Sequence, residues 1–214
     1  MQYCYTMHMN NKSFLISYKV FFALLGLFAV GLEIFTLQSR DIFNFGNFFS
    51  FFTIQSNVFA QIMLLVSAVA LYAGKTSQTL QYFRGASTLY MVITGVIFAV
   101  LLSGYDPRLL TAVPIDNTIL HYIMPVVMVI DWLVDPPTKR LSFRRSLVWI
   151  LYPLLYLVYT LIRGPIVDWY PYPFLNPATN NGYMGIAVTA VIISLFVIAV
   201  AWLMTRKLGS HPKK

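Results

Sequence analysis

The chain has 214 residues, 58% hydrophobic and only 10% charged, and carries a net charge of +8. A soluble globular domain is about a quarter charged, so that class is excluded. The basic residues stand in short connections between long apolar runs, which fits membrane orientation and argues against a nucleic-acid partner.

In chain order the apolar runs fall at 14–37, 48–72, 85–103, 117–134, 146–163 and 183–205. Each is near the roughly 20 residues that a helix needs to cross about 30 Å of hydrocarbon. They predict one all-α polytopic integral membrane domain over residues 1–214, a bundle of six transmembrane helices. Lipid forces every backbone polar group to pair within its own segment or in a closed barrel, and these runs lack the alternation of barrel strands. The first run exceeds a signal-peptide core and has no small-residue cleavage site behind it, so it is expected to stay as a span. Cys4 is the only cysteine, which leaves no intramolecular disulfide and no cysteine-based metal cluster.

Lys and Arg counts give the direction. With the N-terminus inside, the inner segments hold Lys12, Lys19, Lys75, Arg84, Lys139, Arg140, Arg144, Arg145, Arg206, Lys207, Lys213 and Lys214. The outer segments hold Arg40, Arg108 and Arg163. Twelve against three is a positive-inside bias, so the expected topology is N-in/C-in in the cytoplasmic membrane of the cell. The most basic stretch, DPPTKRLSFRR at 135–145, reads as a topology determinant, with a lipid-headgroup patch as the alternative.

Polar groups inside hydrocarbon are costly, so their depths are informative. The first span runs outward and meets Glu33 about one turn before its outer end. The second runs inward and places Thr53, Ser56 and Asn57 roughly 7 to 14 Å below its start. Gln61 continues that stripe at spacings of three and four. In the fourth, His121 lies about one turn below the outer end, and Pro125 leaves the His121 carbonyl without a donor, which predicts a kink. Pro153 does the same to Trp149 in the fifth span, where Tyr152, Tyr156, Tyr159 and Arg163 form a second stripe. These groups converge on the outer third of the membrane. Asp131 and Asp135 lie near the inner end, where Asp131 is expected to pair with the basic loop after it.

Every feature has a plainer reading beside the functional one. Amide and hydroxyl stripes join transmembrane helices, an interfacial histidine is readily solvated, and Glu33 with Arg163 makes a structural ion pair. Tyrosines anchor at the interface. The functional reading is acyl-ester hydrolysis. Thr53 is the nucleophile and His121 its base, with Ser56 as a second nucleophile. Asn57 or Gln61 donates to the oxyanion, Glu33 orients the imidazole, and Tyr159 and Arg163 support or bind the substrate. The partners are then membrane lipids and a fatty-acyl ester, with no cofactor. No metal is expected, because one His with one Glu is too few ligands for zinc, and His8 and His211 fall on the other side. The alternatives are a non-enzymatic transporter or lipid-binding protein, with Glu33, His121 and Arg163 along a pathway, and an assembly partner whose stripes serve packing.

Four runs carry a family likeness: FFTIQSNVFAQ at 51–61, LHYIMPVVMVIDWL at 120–133, YPLLYLVYTLIRG at 152–164 and WYPYPFLNP at 169–177. They resemble a bacterial family of six-span membrane proteins similar to the animal FAR-17a and androgen-induced membrane hydrolases. That resemblance implies a six-helix fold and cleavage of fatty-acid esters of hydroxy fatty acids by a membrane-embedded threonine and histidine, matching Thr53 and His121. The loop 164–183, with its prolines, Trp and Tyr, reads as a connector capping the outer surface.

Overall fold

The computed structural model describes residues 2–104 and 111–206, with side chains from Asn11 onward. The side chains of Cys4, His8, Arg108, His211, Lys207, Lys213 and Lys214 lie outside that range. Among the described residues all regular structure is helical, and six helices are long and apolar enough to cross a membrane. They are α1 (Gln2–Ser39), α2 (Phe52–Tyr72), α3 (Gln78–Leu102), α4 (Pro114–Val134), α5 (Phe143–Val167) and α6 (Gly182–Thr205).

The distribution of side chains is inverted relative to a soluble protein. Phe21, Phe28, Val191 and Leu195 are exposed, whereas Lys19, Glu33, Asn57, Gln61 and Asp131 are buried. Apolar surface facing outward and polar groups facing inward is the arrangement that hydrocarbon solvent favours.

Helix α1 packs on α2, α2 on α3, and α3 on α4. Small residues set the close approaches. A Cβ at Gly26 would fall on the Gln61 side chain, and one at Gly85 would meet the Trp149 ring at 2.5 Å and Trp132 at 3.2 Å. Gly95 admits Pro125, whose Cβ would stand 2.8 Å from an added methyl. Helix α6 packs on α3 and on the Phe143–Ile150 stretch of α5.

Three of the expected features take a different form. The second span starts at Phe52 rather than 48, because Phe45–Phe48 forms a separate one-turn helix capped by Asn44, whose side chain accepts from the Asn47 N–H at 2.9 Å. Around His121 the helix widens into a π-turn, Ile119–Ile123, closed by Met124 N–H on the Ile119 carbonyl. Pro125 has no N–H for the His121 carbonyl, and the wider turn is how the helix accommodates it. In α5, the Trp149 carbonyl that Pro153 leaves free accepts from the Tyr90 hydroxyl at 3.0 Å.

Asp131 also corrects an expectation. It pairs with two cations on other helices, not with the basic loop after it. Lys19 of α1 bonds both Asp131 and Asp135, the latter at 2.9 Å. Arg84 of α3 reaches Asp131 at 2.9 Å and Asp135 at 3.0 Å. Lys19 is fully buried and Arg84 nearly so, which places both within the bundle rather than in loops. Two cations facing two carboxylates leave the group with no formal net charge, the condition for holding charges out of water.

Candidate functional site

At the opposite end from this ion-pair group, the first turn of α2 carries Thr53. Its Oγ1 lies 3.1 Å from His121 Nε2 on α4. The other ring nitrogen, Nδ1, is 3.2 Å from the Asn117 carbonyl one turn earlier. A carbonyl only accepts, so Nδ1 holds the proton and Nε2 is left as an acceptor facing the threonine hydroxyl. The imidazole is stacked on Phe98, ring centroids 4.1 Å apart and planes 25° from parallel. Phe98 opens a second π-turn, Phe98–Leu102 in α3, so two widened turns face each other at this level.

A third group completes the arrangement. The Tyr172 hydroxyl is 3.1 Å from Thr53 Oγ1, and it accepts from the Thr53 N–H, also at 3.1 Å. That N–H belongs to the first helical turn, where backbone donors have no intrahelical partner. With Thr53 donating to His121, its oxygen is free to accept from Tyr172. Burial pushes the Tyr172 phenol up from its ordinary value, against the pull of its bonds to Thr53, so it stays a donor at neutral pH. Thr53, His121 and Tyr172 are all buried.

Tyr172 comes from the connector between α5 and α6, which folds back onto the bundle. The connector is flanked by Asp168 and Asn181, both in the left-handed conformation at φ 49 and φ 50. Thr179 Oγ1 donates to the Pro173 carbonyl at 2.6 Å, and Asn180 Nδ2 to the Phe174 carbonyl at 2.7 Å. Phe174 stacks on Tyr172 with planes 6° apart. Gly164 is required here, since a Cβ would overlap the Tyr170 ring.

The other sequence-derived residues divide into those at the site and those beside it. Glu33 lines the same cavity as Thr53 and His121, but it does not touch the imidazole. Its Oε1 accepts from the Ala112 N–H at 2.7 Å, just ahead of α4. Ser56 faces α3 instead of His121, 2.8 Å from Thr94 Oγ1. Asn57 spends its amide donors on the Thr53 and Leu120 carbonyls, at 2.9 and 3.1 Å, and so has none for an oxyanion. Gln61 lies two turns past Thr53 along α2, against Gly26. Arg163 donates to Asn47 Oδ1 at 2.7 Å and stands over the Trp169 ring, with no ion pair to Glu33.

The tyrosine stripe of α5 has one shared task. Tyr152 donates to Gln55 Oε1 at 2.5 Å, Tyr156 to the Ser50 carbonyl at 2.9 Å, and Tyr159 is 2.8 Å from Ser50 Oγ. Together with Arg163 on Asn47, it fixes the segment that leads into Thr53.

Sequence reasoning passed over Tyr172, Asn117 and Asp116. A tyrosine between prolines looks the same as an interfacial anchor, and a backbone acceptor has no sequence signature. Asp116 precedes the fourth apolar run at 117–134, yet it is fully buried beside Glu33, and neither of its oxygens meets a donor. Pro114 at the first helical position was the available signal that α4 begins before 117.

Two cavities meet at Thr53. One, of about 290 Å³, is the more polar of the two and includes Glu33, Arg40, Asn44 and Asn47 in its wall with His121. The other, of about 90 Å³, is almost wholly apolar and lies between α3, α5 and α6. No grouping of three or more His, Cys, Asp or Glu suited to a metal occurs among the described residues. Comparison of the chain with protein families, with curated proteins and with solved structures gave no match.

Proposed function

We propose that this chain is a multi-pass protein of the cytoplasmic membrane, with both termini inside, and that it hydrolyses fatty-acyl esters with Thr53 as nucleophile and His121 as base. The observation that carries the reading is the 3.1 Å contact between Thr53 Oγ1 and an imidazole nitrogen left as acceptor by the Asn117 carbonyl. The likeness of four runs to a bacterial six-span family, itself similar to the androgen-induced and FAR-17a-like hydrolases, supports the same pair. The topology rests on the basic residues: with Lys19 and Arg84 set aside as paired inside the bundle, ten remain on the inner side against three.

In the reaction, Thr53 Oγ bonds to the ester carbonyl carbon while its proton passes to His121 Nε2. The carbonyl oxygen gains negative charge beside the Tyr172 phenol, whose proton turns to it from Thr53 Oγ1 as that oxygen bonds to the acyl carbon. Collapse breaks the bond to the alcohol oxygen, which takes the proton from His121. Water then attacks the acyl-threonine, giving its proton to His121. The fatty acid departs and Thr53 recovers its proton.

Purified protein in detergent is expected to react covalently with a small fluorophosphonate, with the adduct mapped to Thr53 by peptide mass spectrometry and lost in Thr53→Ala. A wild-type protein that neither labels nor turns over any lipid ester would reject the proposal in favour of transport or binding without chemistry. For Tyr172→Phe, kcat is expected to fall about a hundredfold with little change in KM. Steady-state kinetics on one ester reads that split, and a pure KM effect would remove Tyr172 from the transition state.

A further inference from the structure

The two cavities differ in chemistry, and Thr53, Leu102 and Tyr172 stand in the walls of both. The nucleophile is therefore at a boundary, with hydrocarbon-compatible space on one side and hydrogen-bonding space on the other. The apolar side is walled by Ile97, Phe98, Pro153, Leu157, Ile193 and Val197. It is lined by both α5 and α6, and the outer surfaces of both helices are apolar, as at Leu155, Val158, Val191 and Leu195. A chain lying in the bilayer reaches this space sideways without crossing polar surface.

The polar side holds one carboxylate, Glu33, one guanidinium, Arg40, and the amides of Asn44 and Asn47. Such a wall offers donors and acceptors together. Hydroxyl groups both donate and accept, so they satisfy it. A carboxylate there would face Glu33 as a like charge, which offsets its attraction to Arg40.

Resting on the hydrolase reading above, we infer that the substrate is a single-chain ester of a hydroxyl-rich alcohol, of the monoacylglycerol kind, with its acyl chain between α5 and α6 and its alcohol in the polar cavity. Cleavage breaks the acyl carbon–alcohol oxygen bond, and water supplies the hydroxyl of the fatty acid and the proton of the released alcohol.

The test compares purified wild-type protein with Ala190→Phe and Ser194→Phe, which place a ring in the apolar cavity from its α6 wall. The substrates are monoacylglycerols of graded chain length, the methyl esters of the same acids, and an ester whose alcohol portion bears a carboxylate. Wild-type kcat/KM is expected to be at least about tenfold higher on a monoacylglycerol than on the matching methyl ester or the acidic ester. Either phenylalanine is expected to lower the long-chain to short-chain ratio of kcat/KM by about tenfold. Melting temperature identifies a variant that fails to fold, and the second variant then carries the measurement. If Thr53 of the wild type labels with a fluorophosphonate while both ratios stay flat, this inference fails and the hydrolase stands. If Thr53 does not label and no ester is cleaved, both fall together.

Discussion

On the proposed hydrolase reading, His121→Ala is expected to lower ester turnover about a thousandfold, the scale of a positioned general base. The loss should fall on kcat, because the imidazole contacts the reacting hydroxyl and not the bulk of the substrate. His121→Gln is a useful companion, since an amide can keep a hydrogen bond to Thr53 yet cannot take up its proton. Both variants should lose activity if proton transfer matters. If glutamine retains turnover, the histidine is only positioning Thr53. The stacked Phe98 ring and the Asn117 carbonyl fix the imidazole from two directions, so these substitutions alter one group in a held geometry.

Asp131→Ala is expected to have the largest effect on stability. It leaves Lys19, fully buried, and Arg84, 3% exposed, sharing only the partly exposed Asp135. Breaking a buried pair from one side costs about 3–5 kcal/mol. Thermal unfolding in detergent, followed by the fluorescence of Trp132 and Trp149, would read it as a large drop in Tm. Replacing Lys19, Arg84, Asp131 and Asp135 together by apolar residues of similar volume should recover much of that loss, because no charge is then left unpaired. A single variant that melts like wild type would mean that water reaches this group and screens it.

All six long apolar helices were legible in the sequence, because hydropathy over about 20 residues is a property of composition and needs no knowledge of neighbours. The meeting of Thr53 and His121 was legible for a related reason: depth along a helix follows from counting residues at 1.5 Å each. The start of α2 was not, since Asn44 and the break after Phe48 are local events inside an unbroken aromatic run. Partners across helices were the least accessible. Lys19, near the inner end of the first run, and Arg84, at the edge of the third, read as topology charges until Asp131 and Asp135 are known as their partners, and Ser56 turns to Thr94 because that stripe serves two neighbouring helices. Tyr172 lay beyond reach for a different reason, because its role depends on a connector folding back.

The four side chains that α5 extends to the segment 47–55 repeat once per helical turn, and they meet their partners in antiparallel order, from Tyr152 on Gln55 to Arg163 on Asn47. They work like the teeth of a rack engaged with the approach to Thr53. One helix thus bears on the apolar cavity along one side and grips the start of α2 along the other, so a lipid that wedges α5 outward would tug on Thr53, the nucleophile of the proposed reaction.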